Sequence, residues 1–353
     1  MKTIYHIFPA HMFHLSAQII KAFSTQLMMF NHAFIVYSAS EKEKDVYSEL
    51  SKVINYSLMI LQSPSEVRAY LKKNDNILVH SLIPPVTRTL ILHHYKNVSV
   101  VCWGSGIKLN CFRNYLLYPI KFLLYHSFKN MITLMTPDAD YLKKYYLIRN
   151  VHNQPYIGER ELELERYLEK RVQSKSNKKP CIFIGNNHSC LVSYLDITRH
   201  YMLRLGNRGK ICYMLNYDLD TNLPEYKELI EVCTKNNIIY EIDQQIYNLY
   251  EYAAYIDRCD IYICGEMRQT GLAAIYTALR LKKKIYLNGN NYNWIKQIGC
   301  YTHHINELKE SNVDDLLRPE EESILESNCK IIKQFESLEL KKNGWFHILD
   351  KLI

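Results

Sequence analysis

The polar segment between Cys264 and Gly271 contains the side chains best suited to chemistry in this chain. It reads Gly-Glu-Met-Arg-Gln-Thr-Gly, follows the apolar run that begins at Asp260, and leads directly into a helical pattern. Free N–H groups at a helix start attract anions, and the planar guanidinium of Arg268 suits a phosphate. Gly271 allows the backbone to approach a ligand closely. The pattern predicts a diphosphate site, although an ordinary strand–loop–helix joint explains it equally well.

Two other loops in the second half of the chain carry small polar side chains after an apolar run. The first contains Gly185, Asn186 and Asn187, and the second is the turn-rich segment 287–294, which contains Asn288. Glycine and amide groups at the carboxyl end of a strand can bind phosphate or sugar hydroxyls. Plain turns would also produce both segments. We predict that the two loops contribute to the same ligand site.

Two histidines follow the first apolar run of the chain. His11 and His14 lie in the loop after that run, where a group that titrates near neutral pH can act as a general base on an acceptor hydroxyl. The chain has 14 histidines, most of which we expect to be structural or solvated. We predict that one of this pair is catalytic.

A pair of carboxylates, Asp218 and Asp220, has the spacing of a D-x-D metal motif. Two aspartates at this spacing arise easily by chance, so we give the pair no metal-binding role. We expect catalysis without a metal ion and without a bound cofactor.

Short apolar runs rich in β-branched and aromatic residues alternate with helical patterns along the whole chain. This alternation predicts parallel sheets with crossover helices, an α/β fold with two doubly wound domains in series. Ligands bind at the carboxyl ends of the strands in such folds. The predicted strands are Thr3–Phe8, Ala33–Tyr37, Ser57–Leu61, Ile77–Leu82, Val98–Cys102, Met131–Met135, Cys181–Gly185, Lys210–Leu215, Ile238–Glu241, Asp260–Cys264 and Lys284–Leu287.

A break in composition divides the chain of 353 residues into two domains of ordinary size. The segment 159–179 is almost wholly charged or polar and is predicted to be a solvated helix and linker. We therefore expect an N-terminal acceptor-binding domain at 1–158 and a C-terminal donor-binding domain at 180–318. The tail 319–353 is predicted to add one or two helices that cross back to the first domain.

The chain carries a formal charge of +8, which suggests an anionic partner. Four basic residues are interleaved with aliphatic and aromatic ones between Ile107 and Lys129, as in a helix that lies in a membrane interface. A buried amphipathic helix of the first domain fits this pattern as well. No stretch of about 20 apolar residues is present, so membrane contact is expected to be peripheral.

The ten cysteines occur singly, without C-x-x-C spacing. A disulfide framework or a zinc site requires tighter clustering, so we expect reduced core thiols in a cytoplasmic protein.

At these loops the sequence resembles the bacterial TDP-N-acetylfucosamine:lipid II N-acetylfucosaminyltransferases, glycosyltransferase family 56. The matching positions are short, run from about Ile4 to Trp294, and keep their order and approximate spacing. They are His6-Ile7 with His14, His80 with Pro85, Trp103-Gly104, Tyr118-Pro119, Gly185-Asn186, Tyr217, Tyr252 through Cys259-Asp260, Arg268-Gln269, and Asn288 with Trp294.

The resemblance implies a GT-B fold, in which two Rossmann-like domains face a central cleft. It implies an inverting, metal-independent transfer of a fucose-type deoxyamino sugar from a dTDP-linked donor to a polyprenyl-diphosphate-linked saccharide. The protein would work at the cytoplasmic face of a bacterial inner membrane, in the synthesis of an O-antigen, capsule or common antigen. The donor would contact Tyr217 and the segment Arg268, Gln269 and Thr270.

Two departures from the family concern the acceptor side. The family's Trp-Gly-Ala-Asp segment reads Trp103-Gly104-Ser105-Gly106 here, and the acid expected after the first strand aligns with His11. We predict that His11 replaces this acid as the base and that His14 orients the acceptor or caps the following helix. A different acceptor or sugar, and another nucleotide, are compatible with these differences.

Two other classes of protein share the doubly wound pattern. A nucleotide-dependent oxidoreductase or epimerase requires a glycine-rich first turn, whereas this turn reads Phe8-Pro9-Ala10-His11. A non-catalytic nucleotide-sugar-binding protein stays open. A nucleic-acid-binding module is expected to have a denser basic cluster than this chain provides. The sequence does not fix the oligomeric state.

Overall fold

The structure is a computed structural model that describes residues 2–103, 107, 115–158, 160–171, 179–185, 190–215 and 219–353. The side chains of His14 and of residues 160–162 lie outside the described part. The chain divides into two compact units, one formed by Met1–Glu159 with Ser337–Ile353 and the other by Arg160–Glu336. The last helix of the chain therefore belongs to the first unit.

The first unit is built on a parallel sheet of seven strands in the order β3-β2-β1-β4-β5-β6-β7. The strands are β1 (Thr3–Pro9), β2 (Asn31–Tyr37), β3 (Ser57–Leu61), β4 (Asn76–His80), β5 (Asn97–Cys102), β6 (Asn130–Thr133) and β7 (Val151–Asn153). The helices are α1 (Phe13–Gln26), α2 (Glu41–Val53), α3 (Pro64–Tyr70), α4 (Pro84–Leu92), α5 (Tyr118–His126) and α6 (Thr136–Tyr145). The strand order reverses between β1 and β4, so the first unit has its topological switch point there.

The second unit repeats this architecture with six parallel strands in the order β10-β9-β8-β11-β12-β13. The strands are β8 (Cys181–Gly185), β9 (Lys210–Met214), β10 (Ile239–Asp243), β11 (Ile261–Cys264), β12 (Lys284–Leu287) and β13 (His303–His304). The helices are α7 (Arg160–Lys170), α8 (Leu191–Ile197), α9 (Pro224–Lys235), α10 (Leu249–Asp257), α11 (Leu272–Arg280), α12 (Gly289–Gln297), α13 (Glu307–Glu310), α14 (Val313–Leu317) and α15 (Glu322–Phe335). Its switch point lies between β8 and β11.

The final helix, α16 (Leu338–Leu352), packs on the sheet of the first unit. Trp345 is fully buried there and donates its indole N–H to the carbonyl of Pro155 at 2.9 Å. Ile348, Leu349 and Leu352 complete its buried face. An apolar stripe at this spacing requires a partner surface, which explains why the end of the chain returns to the first sheet.

Three local predictions require correction. The segment 287–294 was expected to be a turn-rich loop, but it forms the start of α12, because burial of Asn291, Trp294 and Ile295 along one helix face overrides the turn preference of asparagine and glycine. The helical pattern Ser65–Lys73 predicts Ser65 as the N-cap of α3, but the N-cap is Ser63, whose hydroxyl accepts the N–H of Glu66 at 3.2 Å. Helix α7 is not simply solvated, since Leu164 is buried against the second unit.

Candidate functional site

The segment Gly265–Gly271 connects β11 to α11 at the carboxyl edge of the second sheet. Residues of β12 and α12 hold this segment through three hydrogen bonds. Asn288 Nδ2 donates to the Gly265 carbonyl at 3.0 Å, the Asn290 N–H donates to the Met267 carbonyl at 3.1 Å, and Asn291 Nδ2 donates to the Thr270 carbonyl at 2.8 Å. The loop therefore has a conformation that its neighbours define.

Two glycines make this arrangement possible. Gly271, the N-cap of α11, has φ 66°, a left-handed conformation that suits glycine. Gly289 has φ 50°, and a Cβ atom there would lie 2.3 Å from the carbonyl oxygen of Met267. The first residue of α12 thus lies directly against the loop, and only glycine allows this approach.

The guanidinium of Arg268 is half exposed and lies 3.5 Å from a carboxylate oxygen of Glu266. The side chain of Glu266 is 17% exposed. An anion at Arg268 would compete with this carboxylate for the guanidinium. Arg268 is therefore available to solvent but already has a partner of opposite charge.

A pocket of about 570 Å³ opens beside this loop within the second unit. This volume lies in the range of about 300–1,000 Å³ that is typical of small-molecule sites. Its walls come from α8 and the residues just after it, and from the residues that follow β11, β12 and β13. The lining residues are Val192, Ser193, Asp196, Ile197, His200, Tyr201, Gly265, Glu266, Met267, Asn288, Ile305 and Asn306. Arg268 is the next residue along the chain and lies just outside this lining.

Three polar atoms near the loop have no hydrogen-bond partner among the described residues. They are Gln269 Oε1, Asn290 Nδ2 and Asn291 Oδ1, all of which are buried. An unsatisfied buried polar group costs about 1–3 kcal/mol, so such groups usually mark a position that water or a ligand completes. Their clustering beside the pocket supports a polar ligand at this edge of the sheet.

Of the predicted ligand residues of the second unit, the structure brings Gly265–Gly271 and Asn288 together. Gly185 ends β8, the strand next to β11, and its carbonyl accepts the hydroxyl of Tyr262 at 3.0 Å. Asn186, Asn187 and Tyr217 lie outside the described residues.

The sequence prediction assigned no role to Glu266, Asn290 or Asn291. Asn290 and Asn291 could be recognised only after their hydrogen bonds to the loop were known. Glu266 carried one signal, because it follows directly after the strand and the glycine, two residues before the chosen arginine. Its ion pair with Arg268 and its place in the pocket wall depend on a side-chain direction that the sequence does not show.

In the first unit, His11 lies at the carboxyl end of β1, beside the switch point. It sits in a single 3₁₀ turn, Ala10–Met12, and its side chain is exposed. The hydroxyl of Ser16 donates to the Pro9 carbonyl at 3.2 Å and holds the turn. The backbone of His14 lies in α1, but its side chain is outside the described part.

A chain of buried side chains that the sequence did not predict crosses the same sheet. His32 Nδ1 lies 2.9 Å from His6 Nε2, His6 Nδ1 lies 3.0 Å from His80 Nε2, and His80 Nδ1 lies 2.7 Å from the hydroxyl of Tyr156. The indole N–H of Trp103 donates to Tyr156 at 2.9 Å. This row of hydrogen-bonded side chains ends at the carboxyl edge of the sheet, because Trp103 follows β5 directly.

One backbone carbonyl fixes the direction of the hydrogen bonds that link the three histidines and Tyr156. The carbonyl of Leu27, 3.0 Å from His32 Nε2, can only accept, so Nε2 carries the proton of His32. Burial lowers the pKa of His32 to about 4 and holds the pKa of His6 and His80 well below the ordinary value, so all three rings are neutral. His6 Nε2–H then donates to His32 Nδ1, His80 Nε2–H donates to His6 Nδ1, and the Tyr156 hydroxyl donates to His80 Nδ1.

The neutral histidines predict a loss of stability in acid. The unfolded chain takes up a proton on His32 near pH 6.5, whereas the folded chain does so only near pH 4, so stability falls as the pH drops through this interval. Between pH 6.5 and 5.0 this ring alone should lower the free energy of unfolding by about 2 kcal/mol. His6 and His80 act in the same direction. Urea unfolding at several pH values measures the loss.

Between pH 6.5 and 5.0, the free energy of unfolding of the variant His32→Phe should fall by about 2 kcal/mol less than that of the native protein. His347→Phe, which removes an exposed histidine from α16, is the control and should keep the native pH dependence. Equal losses in His32→Phe and the native protein would contradict the assignment.

Comparison with solved structures identifies the architecture. An α,α-trehalose-phosphate synthase (UDP-forming) from Burkholderia vietnamiensis superposes with a TM-score of 0.68 at 8% identity, over 100% of both chains. A glycosyltransferase from Rickettsia africae superposes with a TM-score of 0.68 at 14% identity, over 99% of this chain and 98% of the other. The fold is GT-B. The fold class predicted from the sequence is thereby confirmed.

A third solved structure of this fold contains a bound sugar phosphate. The α,α-trehalose-phosphate synthase (UDP-forming) from Burkholderia xenovorans, in complex with glucose-6-phosphate, superposes with a TM-score of 0.65 at 10% identity, over 99% of this chain and 100% of the other. No protein-family model and no curated protein matches the sequence. Identities of this size show the fold alone.

Proposed function

We propose that the protein is a glycosyltransferase that takes a sugar from a nucleotide-sugar donor bound in its second unit. The observation that carries the proposal is the defined loop Gly265–Gly271 beside the 570 Å³ pocket, at the carboxyl edge of a GT-B sheet. Ligands of open α/β sheets bind at this edge. The proteins with the same fold include one that is named a glycosyltransferase and one that is named a UDP-forming α,α-trehalose-phosphate synthase.

The polar groups of the pocket suit the parts of a nucleotide sugar. The carboxylates of Asp196 and Glu266 can accept hydrogen bonds from ribose or sugar hydroxyls, and the ring of Tyr201 offers a face for a base. The diphosphate would lie at the N-terminus of α11, where the backbone N–H groups and Arg268 favour negative charge. Because the Glu266 carboxylate lies 3.5 Å from the Arg268 guanidinium, the diphosphate would displace it from Arg268.

We propose a dTDP-linked deoxyamino sugar of the fucose type as the donor, and a polyprenyl-diphosphate-linked saccharide as the acceptor. This choice rests on the resemblance to the family of N-acetylfucosaminyltransferases described above. Transfer would be inverting and would need no metal. A uridine nucleotide is the second candidate, because two of the superposed structures are named as UDP-forming enzymes.

Thermal unfolding with added nucleotides tests the donor assignment. A ligand at about 100 times its dissociation constant stabilises the folded state by about 2.7 kcal/mol, so dTDP should raise the melting temperature clearly. NAD and an oligonucleotide should leave it unchanged. A larger rise with UDP than with dTDP would select the second candidate. A rise with NAD alone would contradict the proposal. Transfer of the sugar to a lipid-diphosphate acceptor is the direct assay of the proposed activity.

The first unit offers a surface for the membrane on which such an acceptor lies. No described helix is long and apolar enough to cross a membrane. On α5, however, Ile120 and Leu123 are 64% and 70% exposed, and Leu92 at the end of α4 is 67% exposed. They border a groove of about 420 Å³ between the two helices that also contains Arg88 and Lys121.

We propose that this apolar surface with basic residues beside it binds the anionic inner face of a bacterial inner membrane. Helix α5 lies within the predicted interfacial segment, of which residues 108–114 fall outside the described part. Its buried face, with Tyr125 1% exposed, packs in the core. The opposite face carries the exposed aliphatic side chains. One face of the helix therefore fits the buried amphipathic helix, and the other fits the interfacial helix, that the sequence left as alternatives.

Vesicle sedimentation measures this binding. Fully burying one leucine or isoleucine side chain contributes about 1.5–3 kcal/mol, so the double variant Ile120→Ser/Leu123→Ser should bind vesicles with anionic lipid at least about tenfold more weakly. Binding of the native protein should also weaken with salt. The matched control is Val53→Ser/Leu340→Ser, which removes two exposed aliphatic side chains elsewhere on the first unit. Equal binding of both double variants would overturn the assignment.

A further inference from the structure

Three cysteine sulfurs meet at one point of the second unit. Cys181 Sγ lies 3.1 Å from Cys259 Sγ and 3.3 Å from Cys212 Sγ, and all three sulfurs lie within 4.8 Å of one another. Cys212 and Cys259 are buried, whereas Cys181 is partly exposed. The sulfurs approach more closely than the about 3.5–4.0 Å at which even carbon atoms meet in ordinary packing.

The topology of the sheet explains why the sequence did not reveal this cluster. Cys181 begins β8, Cys212 lies within β9, and only Asp260 separates Cys259 from the start of β11. These three strands are neighbours in the order β9-β8-β11, so residues 31 and 78 positions apart from Cys181 come together. Cysteines that occur singly along the sequence can therefore still meet in space.

The cluster lies at the amino end of β8 and β11, whereas the candidate donor pocket lies at their carboxyl end. It is therefore separate from the proposed site of sugar transfer. Asp260, which accepts the backbone N–H of Cys181 at 2.8 Å, fixes the start of β8. The cluster thus sits on backbone that is held in place, as a ligand site requires.

Two basic and two acidic side chains surround the cluster. Lys210 and Arg258 both form ion pairs with Glu241, and the carboxylate of Asp260 accepts the backbone N–H of Cys181. These four side chains are neutral together. Three thiolates and a divalent ion carry only one negative charge, whereas three thiolates alone would carry three.

We propose that Cys181, Cys212 and Cys259 form a binding site for a soft divalent metal ion of the zinc class, held by three sulfurs with a fourth position open toward solvent. At a zinc–sulfur distance of about 2.3 Å, tetrahedral geometry separates the sulfurs by about 3.8 Å. The observed separations require only a small outward movement of the side chains. The partial exposure of Cys181 gives the ion a path of entry.

Binding of the ion would join three adjacent strands of the second sheet through one centre. Because a folded site has the three ligands in place and an unfolded chain does not, the ion binds the folded state more tightly and stabilises it. The thiols release their protons to solvent as the metal binds. The site lies apart from the proposed site of sugar transfer.

Titration of the full-length reduced protein with Cd²⁺, which gives a sulfur-to-metal absorption band, tests the site. We expect one equivalent to bind, and we expect Zn²⁺ in about 100-fold excess over its dissociation constant to raise the melting temperature by roughly 5–10 °C. X-ray absorption of the zinc-loaded native protein should show three sulfurs at about 2.3 Å. This last measurement needs no variant and so does not depend on whether a variant folds.

The variants Cys212→Ser and Cys259→Ser should each weaken binding at least about 100-fold. Cys233→Ser and Cys300→Ser, which replace buried cysteines outside the cluster, are the matched controls and should bind like the native protein. A stoichiometric band that survives Cys212→Ser would overturn the proposal, as would the absence of a band in the native protein. A disulfide within the cluster that forms in reducing buffer and blocks metal binding would also overturn it.

Discussion

Replacement of His11 by alanine is expected to lower turnover by about 10²–10⁴-fold while donor binding stays intact, as is typical for loss of a positioned general base. Inversion at the anomeric carbon requires a base that removes the proton of the acceptor hydroxyl. His11 is exposed at the carboxyl end of β1, on a turn that Ser16 holds through the Pro9 carbonyl. The side chain is thus presented to solvent on a fixed piece of backbone.

The pH profile separates a catalytic role from a structural one. Protonation removes the base, so activity of the native protein should fall on the acid side, and this acid limb should disappear in His11→Ala while the alkaline side stays flat. His347→Ala, which changes an exposed histidine on α16, should keep both the rate and the limb. If His11→Ala keeps full activity and the same limb, His14 is the next candidate, followed by a carboxylate.

Arg268→Ala is expected to cost about 2–4 kcal/mol of transition-state stabilisation, equivalent to roughly 30- to 1,000-fold in rate. The guanidinium would neutralise the diphosphate as it leaves, through charge-assisted hydrogen bonds that strengthen as charge develops. The half-exposed position of Arg268 in the loop before α11 allows this contact. Steady-state kinetics with the donor, together with direct measurement of donor affinity, would show the effect.

The ion pair between Arg268 and Glu266 provides a second variant. If Glu266 mainly competes with the diphosphate for the guanidinium, Glu266→Gln should tighten nucleotide binding. If Glu266 accepts a ribose hydroxyl, the same change should weaken it. Arg318→Ala, which removes an exposed, ion-paired arginine of the same unit, is the control and should leave kinetics unchanged. Native turnover and donor affinity in Arg268→Ala would contradict the assignment.

The alternation of apolar runs and helical patterns was enough to predict both sheets. Every strand predicted from the sequence is present. The central strands of a parallel sheet are buried on both faces and so read as continuous apolar runs, and the edge strands β3 and β10 contain enough apolar residues to be recognised as well. The two strands that were missed, β7 (Val151–Asn153) and β13 (His303–His304), lie at sheet edges and are half exposed. Short edge strands lack the apolar run that marks a central one.

The candidate donor loop was also visible in the sequence, since a strand, a glycine, an arginine and a helix start follow one another within a few residues. Such local order is sufficient to place Arg268 and Gly271 at the carboxyl edge of the sheet. It does not show that Asn288, directly after β12, and Asn291, in α12, hold the loop, because those contacts depend on which strands are neighbours.

The sequence by itself therefore determined the α/β class, the two doubly wound units and the loops at their carboxyl edges, since these follow from local periodicity. Only the tertiary structure decided which distant side chains meet. His6, His32 and His80 look like scattered histidines, and Cys181, Cys212 and Cys259 look like isolated thiols, until parallel pairing brings their strands together. Strand order in a parallel sheet is set by crossover helices and core packing, so contacts across it leave no regular spacing along the chain.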